Sequence, residues 1–150
     1  MQYLAFSGQS TPLATSALGS NVDYRNAGKV VNRLLSDLGR GKADDTWEKR
    51  LRRYLKPELL IIDDFALKEF TKTQAEDLYE LIDRRYRSGS MIVTANRSPE
   101  DWYPLFPNPV IAESALDRLI NCSHIITLTG KSYRALLRPN QSLVKEVITV

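Results

Sequence analysis

The sequence predicts a single α/β domain built on a mainly parallel β-sheet that is covered by helices on both faces. Two short apolar runs, at residues 59–62 and 91–94, have the length and composition of strands buried in such a sheet, and a third strand is predicted at 124–128. Segments with apolar residues at helical spacing separate these runs. Because strands alternate with helices, right-handed crossovers and parallel neighbouring strands are expected. The 150 residues fit one domain with a core of its own.

The first two helices are predicted from apolar spacing and from capping residues. Apolar residues recur over 30–38 on one side of a helix, and the glycines that follow, starting with Gly39, should end it. A second helix fits residues 45–56, where Asp45 and Glu48 have the spacing of a capping box. These two helices precede the first of the three predicted strands.

Three further helices are predicted between and after the apolar runs. Residues 73–87 form one, and Thr73 and Glu76 are spaced as its capping box. Another should begin at Ser98, which is followed by a proline suited to the first helical turn. Apolar spacing over residues 112–120 predicts the last one.

The composition indicates a globular protein without a membrane segment. Hydrophobic residues make up 43% and charged residues 26% of the chain, close to the average for folded domains. No apolar run approaches the ~20 residues that span a bilayer, and residues 1–6 lack the basic start and long apolar stretch of a signal peptide. We therefore expect a cytoplasmic protein. Cys122 is the only cysteine, which excludes an intrachain disulfide, and we expect it to be buried.

Positive charge is concentrated in the first third of the chain and suggests a nucleic-acid partner. Residues 1–56 carry ten Lys or Arg against five Asp or Glu, within a net charge of +3 for the whole chain. Five of these cations share one face of the predicted second helix: Lys49, Arg50, Arg52, Arg53 and Lys56. This face is either a DNA-binding surface or a solvated helix face.

Polar residues follow all three predicted strands, at the carboxyl ends beyond which ligands bind in parallel sheets. The third strand runs into Thr129, Gly130 and Lys131. Asp63 and Asp64 follow the run at 59–62, and Asn96 follows the run at 91–94. An apolar strand that ends in two acids is typical of a Walker B element, in which one carboxylate holds Mg²⁺ and the next polarises the attacking water. An amide on the neighbouring strand is suited to orient that water. The alternative is that these residues only form turns.

Arg118 lies on the predicted helix over residues 112–120, where we expect it to face solvent. It is either a solubilising residue or a cation that stabilises transition-state charge in a neighbouring subunit, as an arginine finger does.

Five segments carry a resemblance to a known family. They are LLIIDDF at 59–65, QAEDLYELIDRRY at 74–86, IVTANRSPEDWYPLFPNPV at 92–110, ALDRL at 115–119 and GKSYR at 130–134. Together they resemble IstB, the transposition helper ATPase of the IS21 family and a relative of the DnaC helicase loader. The resemblance extends from about Val30 to Arg134.

The resemblance implies a P-loop NTPase core of the AAA+ type, with ATP and Mg²⁺ as cofactors. It also implies DNA binding, ATP-dependent assembly into a homo-oligomer and assistance to an IS21-type transposase. By position, Asp63 and Asp64 match Walker B, with Asp63 as the Mg²⁺ ligand, and Asn96 matches sensor 1. Arg118 matches the arginine finger, and Arg134 is a candidate nucleotide-sensing arginine.

The phosphate-binding loop departs from the family pattern. A P-loop needs several glycines followed by Lys and Ser or Thr, because backbone N–H groups cradle the phosphates and the lysine reaches the β- and γ-phosphates. The nearest stretch, residues 6–19, offers Gly8, Ser10 and Thr11 for nucleotide contact but contains no lysine. We therefore expect a core that is incomplete at its N-terminal side and impaired in ATP hydrolysis.

The predicted organisation has three parts: a degraded P-loop region at 1–28, an IstB-like core at 29–134 and a tail at 135–150. Three alternatives stay open besides an ATP-binding transposition protein. The chain could act without ATP on DNA or on a full-length copy of an IstB-like protein, act as a helicase loader like DnaC, or be an inactive remnant.

Overall fold

The computed structural model describes residues 2–7 and 28–129, which form five strands and the helices that pack on them. The strands join in one sheet of order β2-β3-β4-β1-β5. Their bounds are β1 Gln2–Ser7, β2 Gly28–Val30, β3 Leu59–Phe65, β4 Ser90–Ala95 and β5 Ser123–Leu128. The predicted α/β class is confirmed, and each of the three predicted strands is found.

Four α-helices accompany the sheet in the described part of the chain. They are α1 Val31–Ala43, α2 Trp47–Leu55, α3 Lys72–Ser88 and α4 Pro109–Leu116. A 3₁₀ helix at Pro99–Leu105 precedes α4, and a π-helical turn at Asp117–Asn121 continues it. No helix among these is long and apolar enough to cross a membrane.

The sheet is parallel in one half and antiparallel in the other. Strands β2, β3 and β4 run parallel, as predicted. Strand β1 runs antiparallel to both β4 and β5, so that Tyr3 lies opposite Ala95 while Ser7 lies opposite Met91 and Ser123. Strand β1 therefore ends at the edge of the sheet where β4 and β5 begin.

The helices bury one face of the sheet. Both β2 to β3 and β3 to β4 step in the same direction across the sheet, and right-handed crossovers then place α1 and α3 on the same face. On that face Leu60, Ile62 and Val93 are at most 1% exposed. On the other face Ile61 and Ile92 are only half-buried. Helices of the described residues 28–129 therefore cover one face of the sheet, whereas cover on both faces was predicted.

Helix α1 does not stop at its glycines. It continues through Gly39 and Gly41 to Ala43, because Gly41 packs directly against the start of α2. A Cβ atom on Gly41 would lie 2.7 Å from the Cα atom of Trp47. The glycine thus permits the close approach of two helices instead of ending one of them.

The two predicted capping boxes are wrong in detail. Asp45 has a left-handed φ of 55° and precedes α2 without capping it. Helix α3 is capped by Thr71 and Gln74, whose side chains each accept a hydrogen bond from the other's backbone N–H group. The buried Phe70, whose N–H group donates to the carbonyl of Leu105 at 2.8 Å, fixes the chain just before the cap. The N-cap therefore lies two residues earlier than predicted, at Thr71 instead of Thr73.

Two smaller predictions concern the segment after β4. Ser98 and Pro99 do begin a helix, but it is 3₁₀ in type and ends at Leu105. Cys122, expected to be buried, is exposed in the turn before β5.

A buried arginine ties the helices to the sheet. The guanidinium of Arg85 in α3 donates to the backbone carbonyls of Tyr54 at 3.0 Å, Pro57 at 2.7 Å and Glu58 at 3.1 Å. It also donates to the carbonyl of Ser90. Burial lowers the pKa of Arg85 to about 10. One side chain thereby joins the end of α2 to the residues just before β3 and to the first residue of β4.

Candidate functional site

The acidic pair and the amide that follow β3 and β4 lie at one edge of the sheet. Asp63 and Asp64 are exposed at the end of β3, and Asn96 is exposed directly after β4. The hydroxyl of Thr94 in β4 donates a hydrogen bond to the Asp63 carboxylate. Sequence reasoning missed Thr94; its place one residue before the end of the strand that leads to Asn96 was the available signal.

A bulge in β3 explains why both aspartates reach solvent. The pairing places Ile62 opposite Val93 and Phe65 opposite Ala95, so two residues of β3 face one residue of β4. In a regular strand Asp64 would follow Ile62 to the buried face. Instead Phe65 takes that place and is fully buried.

The backbone at this edge is strained. Asp64 has a φ of 56° and Ala66 a φ of 62°, both in the left-handed region that non-glycine residues rarely adopt. Such conformations persist only where the surrounding structure over-determines them, and they cluster at functional sites.

An aromatic cluster supplies that surrounding structure. The rings of Phe65 and Trp102 meet edge to face at 4.8 Å, and those of Phe70 and Phe106 lie 5.0 Å apart. The Trp102 indole also donates to the carbonyl of Arg97 at 3.1 Å. The segments that follow β3 and β4 are therefore packed against each other, next to the acidic pair and the amide.

The donor set suits Mg²⁺ bound together with a phosphate ligand. Carboxylate, hydroxyl and amide oxygens are hard ligands of the kind Mg²⁺ takes, and proteins usually supply only one or two carboxylates while water and phosphate complete the shell. Within residues 2–7 and 28–129 no group of three or more His, Cys, Asp or Glu could hold a metal ion by itself. Asp63 and Asp64 fit a site in which the nucleotide brings the remaining ligands.

The predicted nucleotide contacts are not all within the described structure. Gly8, Ser10, Thr11 and Arg134 lie outside the described residues. Ser7 is the last described residue before Gly8. It lies where β4 begins, at the opposite end of the strands from Asp63.

Arg118 is held by its own chain. Its Nε atom lies 3.0 Å from the Asp83 carboxylate, its Nη1 atom donates to the carbonyl of Ser114 at 2.6 Å, and its guanidinium lies 5.8 Å from the centre of the Tyr79 ring. The expectation that it faces solvent is wrong, because α4 and its π-helical continuation pack beside α3. Arg118 lies before β5 begins, on the side of the sheet away from the acidic pair.

The basic face of α2 is only partly free. Arg50 pairs with Asp37 and, at 2.9 Å, with Asp44, so it serves the packing of α1 and α2. Arg52 makes a looser pair with Glu48 at 3.3 Å and stays 75% exposed. The remaining exposed cations of this face are Lys49, Arg53 and Lys56.

Comparison with known proteins decides the family. A family model described as IstB-like ATP binding protein matches residues 10–141, which leaves only β1 outside the match among the described elements. The chain belongs to this family. The strand bulge with its acidic pair, Thr94 and Asn96 all lie within the IstB-like region.

Several relatives from insertion sequences share this region. Rv3427c of Mycobacterium tuberculosis, named as an ATP-binding protein in an insertion sequence, is 55% identical over 113 residues, which cover 75% of this chain and 45% of the relative. A protein of IS5376 from Geobacillus stearothermophilus is 37% identical over 74% of this chain and 44% of the relative. The IS21 protein of Pseudomonas aeruginosa is 31% identical over 69% and 39%. The chain thus spans less than half the length of these curated relatives.

Proposed function

We propose that this chain is an accessory protein of insertion-sequence transposition that binds ATP with Mg²⁺ at the edge formed by Asp63, Asp64 and Asn96. The observation that carries the proposal is the bulge in β3, which turns two carboxylates out of a buried strand beside Thr94, within an IstB-like region. Bound Mg²⁺ would screen the phosphate charge.

The chain's own residues would divide the work at this edge. The Asp63 carboxylate, hydrogen-bonded by Thr94, would hold Mg²⁺ directly or through water. Asp64 would polarise the attacking water, and Asn96 would orient that water. Residues 6–19 contain no lysine to reach the β- and γ-phosphates. The proposal is therefore nucleotide binding with impaired hydrolysis.

The wider role follows from the relatives and from surface charge. Because three relatives are named for insertion sequences, we infer that the chain works beside a transposase of the IS21 type on DNA in the cytoplasm. Lys49, Arg53 and Lys56 are exposed and would contact DNA, whereas Arg50 is engaged in its ion pairs. Arg118 could meet a nucleotide only in a neighbouring copy, which fits a homo-oligomer.

Binding of a non-hydrolysable ATP analogue tests the proposal. We expect saturable binding with Mg²⁺, loss of that binding in Asp63→Asn, and no change in the matched control Asp117→Asn, which alters an exposed aspartate on the π-helical turn. Absence of binding at millimolar analogue would overturn nucleotide binding by this chain.

The direction of β1 favours a second candidate function. A P-loop follows the carboxyl end of its strand, and β1 ends at the edge away from Asp63. The chain would then act without ATP, as a partner of a full-length IstB-like copy. Co-purification with such a copy in the absence of nucleotide supports this candidate, and a complex that forms only with ATP and Mg²⁺ contradicts it.

A further inference from the structure

An open cavity of about 550 Å³ lies on the helical layer, where the end of α1, the start of α2 and the first turns of α3 meet. This volume falls in the range of about 300–1,000 Å³ that is typical of ligand sites. Five carboxylates, one ammonium group and one indole ring are among its lining residues: Gly41, Lys42, Asp45, Trp47, Glu48, Glu76, Asp77 and Glu80.

Asp77 is the buried acid of this cavity, and its carboxylate is only half satisfied. The residue is 1% exposed. Its Oδ1 atom accepts a hydrogen bond from the Trp47 indole at 2.9 Å and contacts the Lys42 ammonium at 2.7 Å. Its Oδ2 atom is buried and has no hydrogen-bond partner among the residues that the structure describes. A buried carboxylate oxygen without a partner is costly, so the site is set to accept one more donor.

The geometry of the carboxylate favours a guanidinium as that donor. The ammonium of Lys42 is a point charge that reaches one oxygen, whereas the planar guanidinium of arginine can donate to both oxygens of a carboxylate at once. Lys42 is 38% exposed and can leave Asp77 for solvent. In the free protein Lys42 therefore occupies the place of the stronger ligand.

The wall of the cavity also suits a cation. The Trp47 ring has the Lys42 ammonium 5.9 Å and the Arg84 guanidinium 5.8 Å from its centre, distances at which an aromatic face attracts a cation. Lys42 and Arg84 thus already make cation–π contacts with Trp47, the interaction that a bound cation would use.

The rim of the cavity retains unpaired negative charge. Arg84 binds Glu48 at 2.9 Å and Glu80 at 2.6 Å, but Asp45 and Glu76 have no ion pair within the described residues. Excess carboxylates repel the phosphates of nucleic acid and attract a basic protein segment. The cavity is therefore distinct in its chemistry from the basic face of α2.

We propose that this cavity binds an arginine side chain presented by a basic segment of a partner protein. The guanidinium displaces Lys42, pairs with both oxygens of Asp77 and lies against Trp47, while Asp45 and Glu76 attract neighbouring basic residues. The site is independent of nucleotide, so its failure and that of the proposed function are separate outcomes.

Titration with short peptides tests this site. Acetyl-Gly-Arg-Gly-amide is added to the full chain, and the indole N–H resonance of Trp47 is followed by NMR, with that of the buried Trp102 as internal reference. We expect a saturable shift of the Trp47 signal only, a weaker response to the lysine peptide and none to the peptide in which neutral citrulline replaces arginine. Equal binding of the citrulline peptide, or tighter binding of spermidine than of the arginine peptide, would overturn the proposal.

Two variants make the test specific. Asp77→Asn keeps an acceptor for the Trp47 indole but removes the charge, and it should weaken binding about tenfold or more, as expected for loss of a charge-assisted pair. Lys42→Ala removes the internal competitor from an exposed position and should strengthen binding. Arg87→Ala, which removes an exposed cation at the C-terminal end of α3 outside the cavity lining, is the matched control and should leave peptide binding unchanged. Unchanged affinity in Lys42→Ala would contradict the displacement.

Discussion

The Thr94 hydroxyl donates a hydrogen bond to the Asp63 carboxylate across two neighbouring parallel strands. This bond connects the acidic end of β3 to the strand that leads into Asn96. The bond orients the Asp63 carboxylate, which we assign as the Mg²⁺ ligand. Thr94 itself is only half-buried.

Thr94→Val should weaken Mg²⁺-dependent nucleotide binding while leaving the fold intact. One hydrogen bond to a carboxylate contributes about 1.5–3 kcal/mol, so the affinity for an ATP analogue should fall by roughly tenfold or more. Calorimetric titration measures this change. Thr94→Ser retains the hydroxyl and should bind as the parent does. A Thr94→Val chain with parental affinity would show that the bond does not orient Asp63.

Trp102→Ala should destabilise the whole domain. The ring is fully buried and packs at 4.8 Å on Phe65, next to the strained segment after β3. Truncation of a buried aromatic side chain costs about 3–5 kcal/mol. Urea unfolding measures the loss, and Tyr103→Ala, which truncates an exposed neighbour, should cost far less. Equal midpoints for the two variants would refute the anchoring role of Trp102.

Arg85→Met should also be strongly destabilising, for an electrostatic reason. The substitution preserves much of the apolar stem but removes the guanidinium that donates to the carbonyls of Tyr54, Pro57 and Ser90. The carbonyl of Glu58 also loses Arg85 but keeps a bond from the Ser90 N–H group at 2.9 Å. Buried unsatisfied groups cost about 1–3 kcal/mol each before relaxation. The free energy of unfolding should fall by several kcal/mol, by the same hydrogen-bond reasoning. Arg87→Met, on the exposed side of α3, is the control and should unfold like the parent.

The stability of the α1–α2 contact should depend on acid pH through Asp37. Burial raises the pKa of Asp37, but hydrogen bonds from Tyr54 and Arg50 outweigh it, and the pKa lies below its ordinary value of 3.8. A lowered pKa in the folded state stabilises the protein above 3.8, and this contribution disappears as the pH falls through the lowered value.

A comparison with Asp37→Asn measures that contribution. The parent should be more stable than the variant at pH 6, and the difference in the free energy of unfolding should shrink as the pH falls below 3.8. A difference that stays constant between pH 6 and pH 3 would contradict the assigned ion pairs.

Much of the fold was predictable because the signals are local. The apolar runs that became β3, β4 and β5 are short and bounded by polar residues, which is enough to recognise a strand. Burial was less predictable, because β3 and β4 bury alternate residues whereas β5 is largely exposed. The positions of Asp63 and Asn96 at one edge followed from the parallel pairing of β3 and β4. The helix starts were less certain because two overlapping capping patterns, Thr71–Gln74 and Thr73–Glu76, compete within six residues.

The remaining features depend on contacts between distant residues. The bulge that exposes Asp64 arises from pairing with β4 and from burial of Phe65 against Trp102. The antiparallel direction of β1 is set by two partners that follow it in the chain by more than 80 residues. The pairing of Asp77 with Trp47 likewise joins α3 to α2. No local pattern encodes such relationships.

Titration of a non-hydrolysable ATP analogue into the full chain, with Mg²⁺ and with EDTA, tests the central claim most directly. If Asp63 holds Mg²⁺ beside the phosphates, the analogue should bind saturably with Mg²⁺, bind much more weakly with EDTA, and lose the difference between the two conditions in Asp63→Asn. An affinity that is the same with Mg²⁺ and with EDTA, or that Asp63→Asn leaves unchanged, would contradict it.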